Sequence, residues 1–448
     1  MKKRYYGLDI AKGISVLGMI LSHSFMGTAA KWKSSILFSL VAKIPTGLLY
    51  TLMIPICLFS QMGSLFSLIS AVCVTLSFME ISKKGFRVVW RYILMKMVFG
   101  FLLRGIEIFW NQWTVDWDFF EKGKMQWPVV TIPFSSHTLD CIGFIGWFIP
   151  LLVYILRLIP YVADYRIQVG ILYVFSLGLT LVSRDIASAG RIAEDYCHDN
   201  GLFFCAYLFS KVGSGPFQLP QILPFGLTGA AIAILLHSTS SLRPLLVFSL
   251  LSAISNGLVG VLLLLRVDDL VSEVFESFKP EGFMLLLLGM QTLLLLLFFR
   301  LFDDPARPRT RRLAALRRTV FLRRLNALSL SSFVLEPFLS KKVFTLFQLP
   351  PLFGPGIDYD KELCLWSWPV VALYSLTVTL VAVLLARLWE AAGFRFSMEY
   401  QLSAIMKWLF DIQYDKVNFK KNIYGPVEEL QEEINREQHR SDDLVVEY

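Results

Sequence analysis

The sequence predicts an all-α, polytopic integral membrane protein with about 10–11 transmembrane helices, and three observations carry that expectation. The 448 residues have a mean hydropathy of +0.57, and 55% are hydrophobic against 17% charged, which is too apolar for a chain that must meet water on every side. Several apolar runs reach or approach the ~20 residues a helix needs to cross a ~30 Å hydrocarbon core. Those runs are continuous, whereas a membrane barrel would show short segments of alternating polarity.

Read in order, the spans fall near 7–27, 48–80, 89–110, 139–158, 166–183, 217–237, 244–266, 282–301, 320–346 and 365–388. The second is longer than one crossing requires; with the apolar 35–47 approach it is one tilted or broken helix, or two, and two would raise the count to eleven. Short cytoplasmic loops collect Lys and Arg. With ten spans, "MKKR", "KKGFRVVWR" (83–91), "DYR", Arg243 and "RPRTRRLAALRRTVFLRR" (307–324) share one side, and the acidic "VDWDFFE" and "VDDLVSEVFE" share the other. Both termini are therefore expected in the cytoplasm.

The arginine run 307–324 holds most of the net charge of +8. It suits a topology determinant lying on anionic lipid, and also cations that hold the phosphates of a cytoplasmic cofactor. No aromatic platform or DNA-reading motif accompanies it, so nucleic acid is not an expected partner. Residues 1–388 form the transmembrane domain in this reading. Residues 389–448 form a cytoplasmic tail: "WEAAGFRFSMEYQLSAIMKWLFD" is amphipathic enough to lie on the interface, and the charged end is poorly ordered unless docked. The six cysteines are scattered, with no Cys/His cluster at ligand spacing, so no metal site is expected; Cys197 and Cys205 alone lie close together.

The opening segment "GLDIAKGISVLGMILSHSF" (7–25) is read as a retained first helix, because Asp9 and Lys12 interrupt what a cleaved signal would keep positive and apolar. At 100° per residue, Lys12 and His23 lie about 20° apart around the axis and Asp9 about 40° from His23. All three share one face, and His23 stands roughly 16 Å beyond Lys12 along it. Two readings stand: a polar seam lining a cavity, or interfacial charges with a histidine that bonds a neighbouring helix. A histidine inside a span is a functional candidate as base, nucleophile or proton relay.

Other candidates follow the same logic. Arg104 and Glu107 in "FLLRGIEIFW" sit three apart and form an ion pair or an acceptor site. The loop "FWNQWTVDWDFFEKGKMQW" (109–127) suits sugar stacking and equally an interfacial aromatic belt. His137 and Asp140 open the fourth helix, with Ser135 or Ser136 as the expected cap. His198 reads as an exposed loop residue, and His237 as a histidine at a helix C-terminus. Glu336, interior to a span and followed by Pro337, ranks behind His23 as a cavity residue.

"GLDIAKGISVLGMILSH" resembles the opening helix of the transmembrane acyltransferase superfamily, which includes the acyltransferase-3 proteins and heparan-α-glucosaminide N-acetyltransferase. "LMIPICLFSQMGSLFSLISA" (52–71), "HTLDCIGF" (137–144), "LPFGLTGAAIAILL" (223–236) and "NALSLSSFVLEP" (326–337) resemble later segments in the family's order. Lys12 stands where the family usually has arginine, and Phe225 where tryptophan is common. The resemblance implies transfer of an acyl group, usually acetyl from cytoplasmic acetyl-CoA, to a carbohydrate or glycolipid acceptor across the membrane. It implies His23 as base or acyl carrier, assisted by His137 and Asp140, with Lys12, Asp9 and Arg104 on the donor side and no metal. The host is a plasma membrane in a prokaryote, or an organelle membrane. The rival class is a secondary transporter or flippase for a sugar or lipid-linked substrate, although no paired halves are visible. Walker, GxGxxG and GxSxG motifs are absent.

Overall fold

A computed structural model describes residues 5–26, 34–45, 47–48, 51, 62–107, 136–215, 217–239, 241–267, 279–410 and 419–446. The protein is an all-α polytopic membrane protein. Its helices are α1 (Tyr6–Phe25), α2 (Ser34–Val41), α3 (Met62–Ile81), α4 (Phe86–Glu107), α5 (Thr138–Leu158), α6 (Tyr165–Leu181), α7 (Ser183–Asp199), α8 (Phe203–Gly213) and α9 (Leu219–Ser238). They continue with α10 (Arg243–Leu264), α11 (Glu281–Phe302), α12 (Arg309–Arg318), α13 (Val320–Ala327), α14 (Ser329–Phe347), α15 (Trp368–Ala391), α16 (Met398–Phe410) and α17 (Phe419–Val446). A two-stranded antiparallel ribbon, β1 (Ile357–Asp358) with β2 (Leu363–Cys364), is the only sheet among the described residues.

Seven described helices are long and apolar enough to cross a membrane, and the pair α6 and α7, bent by 61°, makes an eighth if it counts as one span. Two further helices occupy expected spans but carry more charge: α4 holds Arg87, Arg91, Lys96 and Arg104, and α14 holds Glu336, Lys341 and Lys342. The run 320–346 is not one helix. It divides at Leu328, whose φ of −112° and ψ of 26° end α13 and start α14.

By contacts the chain divides into two units, residues 1–62 with 298–448, and residues 63–297. In the second unit, α9 is buried along nearly its whole length against α6, α5 and α7. Small and hydroxyl residues allow that: a Cβ on Gly229 would stand 2.4 Å from the Leu68 carbonyl oxygen, and the Ser176 hydroxyl donates to the Pro224 carbonyl at 2.9 Å. Gly85, at a φ of 98°, turns the chain between α3 and α4 in a conformation that a side chain resists.

In the first unit α1 is central and packs on α13, α15 and α14. Gly13 is required there, since an added Cβ would meet the Leu322 carbonyl oxygen at 2.1 Å. The start of α1 is capped from afar: Asp303 accepts from the Tyr6 and Gly7 amides at 2.7 and 2.8 Å, which satisfies two of the amides that a helix leaves without partners. The arginine run folds into α12 and α13, and α17 docks on both, with Arg317 donating to Gln431 at 2.8 Å and Arg309 standing 3.7 Å from Glu433. The C-terminal segment is thus a helix held against the basic one. His198, expected in a loop, belongs to the last turn of α7 and meets the Phe203 ring edge-on at 5.7 Å.

Candidate functional site

Three helices of the first unit, α1, α14 and α15, bring the first cluster together. His23 lies in the last turn of α1. Its Nδ1 stands 2.9 Å from Oε2 of Glu336 on α14, with side-chain exposures of 25% and 4%. A carboxylate beside Nδ1 fixes the tautomer that carries a proton there and leaves Nε2 as the lone-pair nitrogen. The second carboxylate oxygen of Glu336, Oε1, is buried and makes no hydrogen bond with the described residues. Leaving such an oxygen unsatisfied costs stability, on the order of 1–3 kcal/mol.

The surroundings hold the pair in place. Ser340, one turn beyond Glu336, and Tyr374 of α15 share a hydroxyl–hydroxyl contact of 2.5 Å, and the Tyr374 hydroxyl donates to the Ser340 carbonyl at 3.0 Å. Ser375 donates to the Leu21 carbonyl at 2.5 Å, tying α15 to the end of α1. Around Tyr374 gather the rings of Phe344, Phe347 and Trp366, with centroids 5.7–6.0 Å away.

The rest of the predicted seam stands differently. Asp9 accepts from the Asn326 amide at 3.1 Å and does not pair with Lys12. Lys12, half-buried, makes no hydrogen bond or ion pair with the described residues. Glu399 caps α14 from α16, accepting from the Leu330 and Ser331 amides at 2.6 and 3.1 Å and from the Ser331 hydroxyl at 2.6 Å. Burial pushes its carboxyl above the usual range, with the Ser331 hydroxyl pulling the other way.

Three of the predicted site residues meet in the second unit instead. Asp140 Oδ2 accepts from Arg104 Nη1 at 2.9 Å, from Lys211 Nζ at 3.3 Å and from the His137 amide at 3.2 Å. All three charged side chains are nearly buried, at 6%, 9% and 11% exposure for Arg104, Asp140 and Lys211. Arg104 therefore pairs with Asp140 on the neighbouring helix; the Glu107 side chain lies outside the described residues. His137 itself is the N-cap of α5, in place of the expected Ser135 or Ser136. Burial and the Arg104 guanidinium push its imidazole down to about 4, against the pull of Asp140. The histidine is thus neutral near pH 7.

His237, at the end of α9, stands 3.4 Å from Glu80. The aromatic loop 109–127 lies outside the described residues. Among the described residues no group of three or more His, Cys, Asp or Glu is arranged to hold a metal ion. Fold and site together define a helical membrane protein with a carboxylate–histidine pair at the end of its first spanning helix. Comparison of the chain with family models, curated proteins and solved structures gives no match.

Proposed function

We propose that the protein is a membrane acyltransferase that moves an acyl group, acetyl in the first instance, from cytoplasmic acyl-CoA to a hydroxyl or amine of a carbohydrate or glycolipid acceptor at the far side of the membrane. The observation that supports this reading is the His23–Glu336 pair, an imidazole with a carboxylate at its Nδ1 in the last turn of the first spanning helix. In the reaction, Nε2 of His23 takes the proton from the acceptor as its oxygen or nitrogen attacks the thioester carbonyl carbon. The tetrahedral intermediate collapses with cleavage of the carbon–sulfur bond, and the departing CoA thiolate takes the proton from the imidazolium. Glu336 holds the ring and stabilises its cationic form; a base aligned in this way contributes ~10²–10⁴-fold. Lys12, without an ion-pair partner among the described residues, supplies a cation toward the donor.

The test is acyl-CoA binding and slow acyl-CoA hydrolysis by the purified full chain in detergent, beside His23→Ala and Lys12→Ala. Micromolar binding, with hydrolysis lost in the first variant and affinity lowered in the second, supports the reading. Well-folded protein that binds no acyl-CoA overturns it and favours a proton-coupled transporter built on the same pair.

A further inference from the structure

The chain leaves the last span at Ala391, and α16 begins at Met398, so residues 392–397 tether its start within about 25 Å of the membrane boundary. On α16, Leu402 and Met406 face the protein. The opposite face carries Tyr400, Ala404 and Trp408 at i, i+4 and i+8, with Ile405 beside them. These side chains are uncovered: Trp408 is 82% exposed, Tyr400 44% and Ile405 39%. Arg395 and Lys407, both exposed, flank the stripe.

The loop before the helix adds an independent sign. Gly393, Phe394 and Phe396 have φ values of 68°, 55° and 65°. That left-handed backbone is disfavoured for phenylalanine, and a loop keeps it only where the placement of the rings compensates. Phe394 turns inward onto Phe419, with ring centroids 4.8 Å apart. Phe396 turns outward and is 81% exposed. The Trp389 indole nitrogen donates to the Arg395 carbonyl at 2.7 Å and holds the loop in that shape. A protein does not gain from turning a phenylalanine into water at the cost of backbone strain; it gains if the ring enters an apolar medium.

We propose that α16 is a membrane-surface helix whose Phe396, Tyr400, Ile405 and Trp408 side chains sit at the headgroup–acyl boundary of the phospholipid leaflet into which α15 emerges. Amphipathic aromatic rings favour that depth, and the flanking Arg395 and Lys407 suit anionic headgroups. The helix is not a loose anchor, because it is clipped to α14. Ser331 donates its hydroxyl to Glu399 and accepts from the Met398 amide at 2.9 Å, a capping box formed between two separate helices. Lipid that seats α16 thereby fixes the start of the helix that carries Glu336. The lipid contact does not depend on the acyltransfer reading.

The experiment reconstitutes the full native chain in phosphatidylcholine–phosphatidylglycerol vesicles that contain a phospholipid with a diazirine near the headgroup end of one acyl chain. After photolysis, lipid adducts are mapped by mass spectrometry. Adducts at Phe396, Tyr400, Ile405 or Trp408, and none at Leu402 or Met406, are expected. Recovery of the 396–409 peptide without lipid, while the spans are labelled, overturns the proposal. A second measurement places a nitroxide at Trp408→Cys in a chain whose six native cysteines are replaced. Collision with oxygen several-fold above collision with a water-soluble nickel chelate supports lipid immersion; the reverse ratio overturns it.

Discussion

His23 and Glu336 are 313 residues apart in the chain and 2.9 Å apart in space, and the carboxylate oxygen that does not touch the imidazole is buried with no hydrogen-bond partner among the described residues. Burial of a carboxylate oxygen without a hydrogen-bond partner costs stability. Under the proposed acyltransfer, His23→Ala removes the proposed base and is expected to lower acyl-CoA hydrolysis by ~10²–10⁴-fold. Glu336→Gln keeps a hydrogen-bond acceptor but removes the charge, and is expected to cost about 10-fold or more. Its melting temperature in detergent should equal or exceed that of the native protein. A variant that melts lower and retains full activity would show that Glu336 serves packing only.

Asp140 is expected to serve the fold. It is the acceptor for both Arg104 and Lys211, so Asp140→Asn removes the carboxylate charge that faces two nearly buried cations, at a cost of about 3–5 kcal/mol. Lys211→Met removes one of those cations and should change stability by about 1 kcal/mol or less. Thermal unfolding of the two variants separates the cases. An Asp140→Asn protein that is as stable as the native one yet inactive would move this cluster to the chemistry.

Asp303 provides a pH test. Burial pushes its carboxyl up from 3.8 to about 7, while the Gly7 and Tyr6 amides pull the other way. A folded-state value above the unfolded one means that the folded protein holds the proton more tightly. The contribution to stability is then complete below about pH 3.8 and is lost as pH rises to about 7. The melting temperature should therefore decline between pH 5 and pH 7.5 more steeply in the native protein than in Asp303→Asn; equal slopes would assign the decline to other groups.

Two ion pairs should differ in weight. Glu390 receives Arg324 at 2.8 Å with side-chain exposures of 15% and 9%, whereas Lys83 and Glu80 meet at 3.1 Å with exposures of 56% and 49%. Glu390→Ala strands a nearly buried guanidinium and is expected to cost about 3 kcal/mol. Lys83→Ala is expected to cost about 1 kcal/mol or less. Denaturation of both variants under one condition is the measurement.

The spanning helices were legible because continuous hydrophobicity is a local property, and His23 was legible because an ionisable group in such a run stands out. Glu336 ranked second because its partner is far along the chain, and no spacing rule reaches across 313 residues. The same limit hid the Arg104–Asp140 pair, which joins two helices where sequence offered Glu107 on the same one. Helix α7 escaped notice since "SRDIASAGRIAEDYCHD" is polar and lacks the continuous apolar run by which the spans were found. The break at Leu328 carries no proline or glycine, so nothing in the run 320–346 announced it.

The division of the chain sets an order of assembly. Tyr6 is capped by a residue 297 positions later, and Asp9 meets its amide partner 317 positions later. A ribosome delivers α1 to the membrane long before α13, α14 or α15 exist. During that interval the Gly13 notch has no helix to receive, and the polar face with Asp9, Lys12 and His23 has none of its final neighbours. The unit formed by residues 63–297 can complete its own packing while the first helix waits. Closure of so long a loop is slow. The first span is therefore the helix that waits longest for its packing neighbours, and a truncation before residue 298 removes α13, α14 and α15, on which it packs.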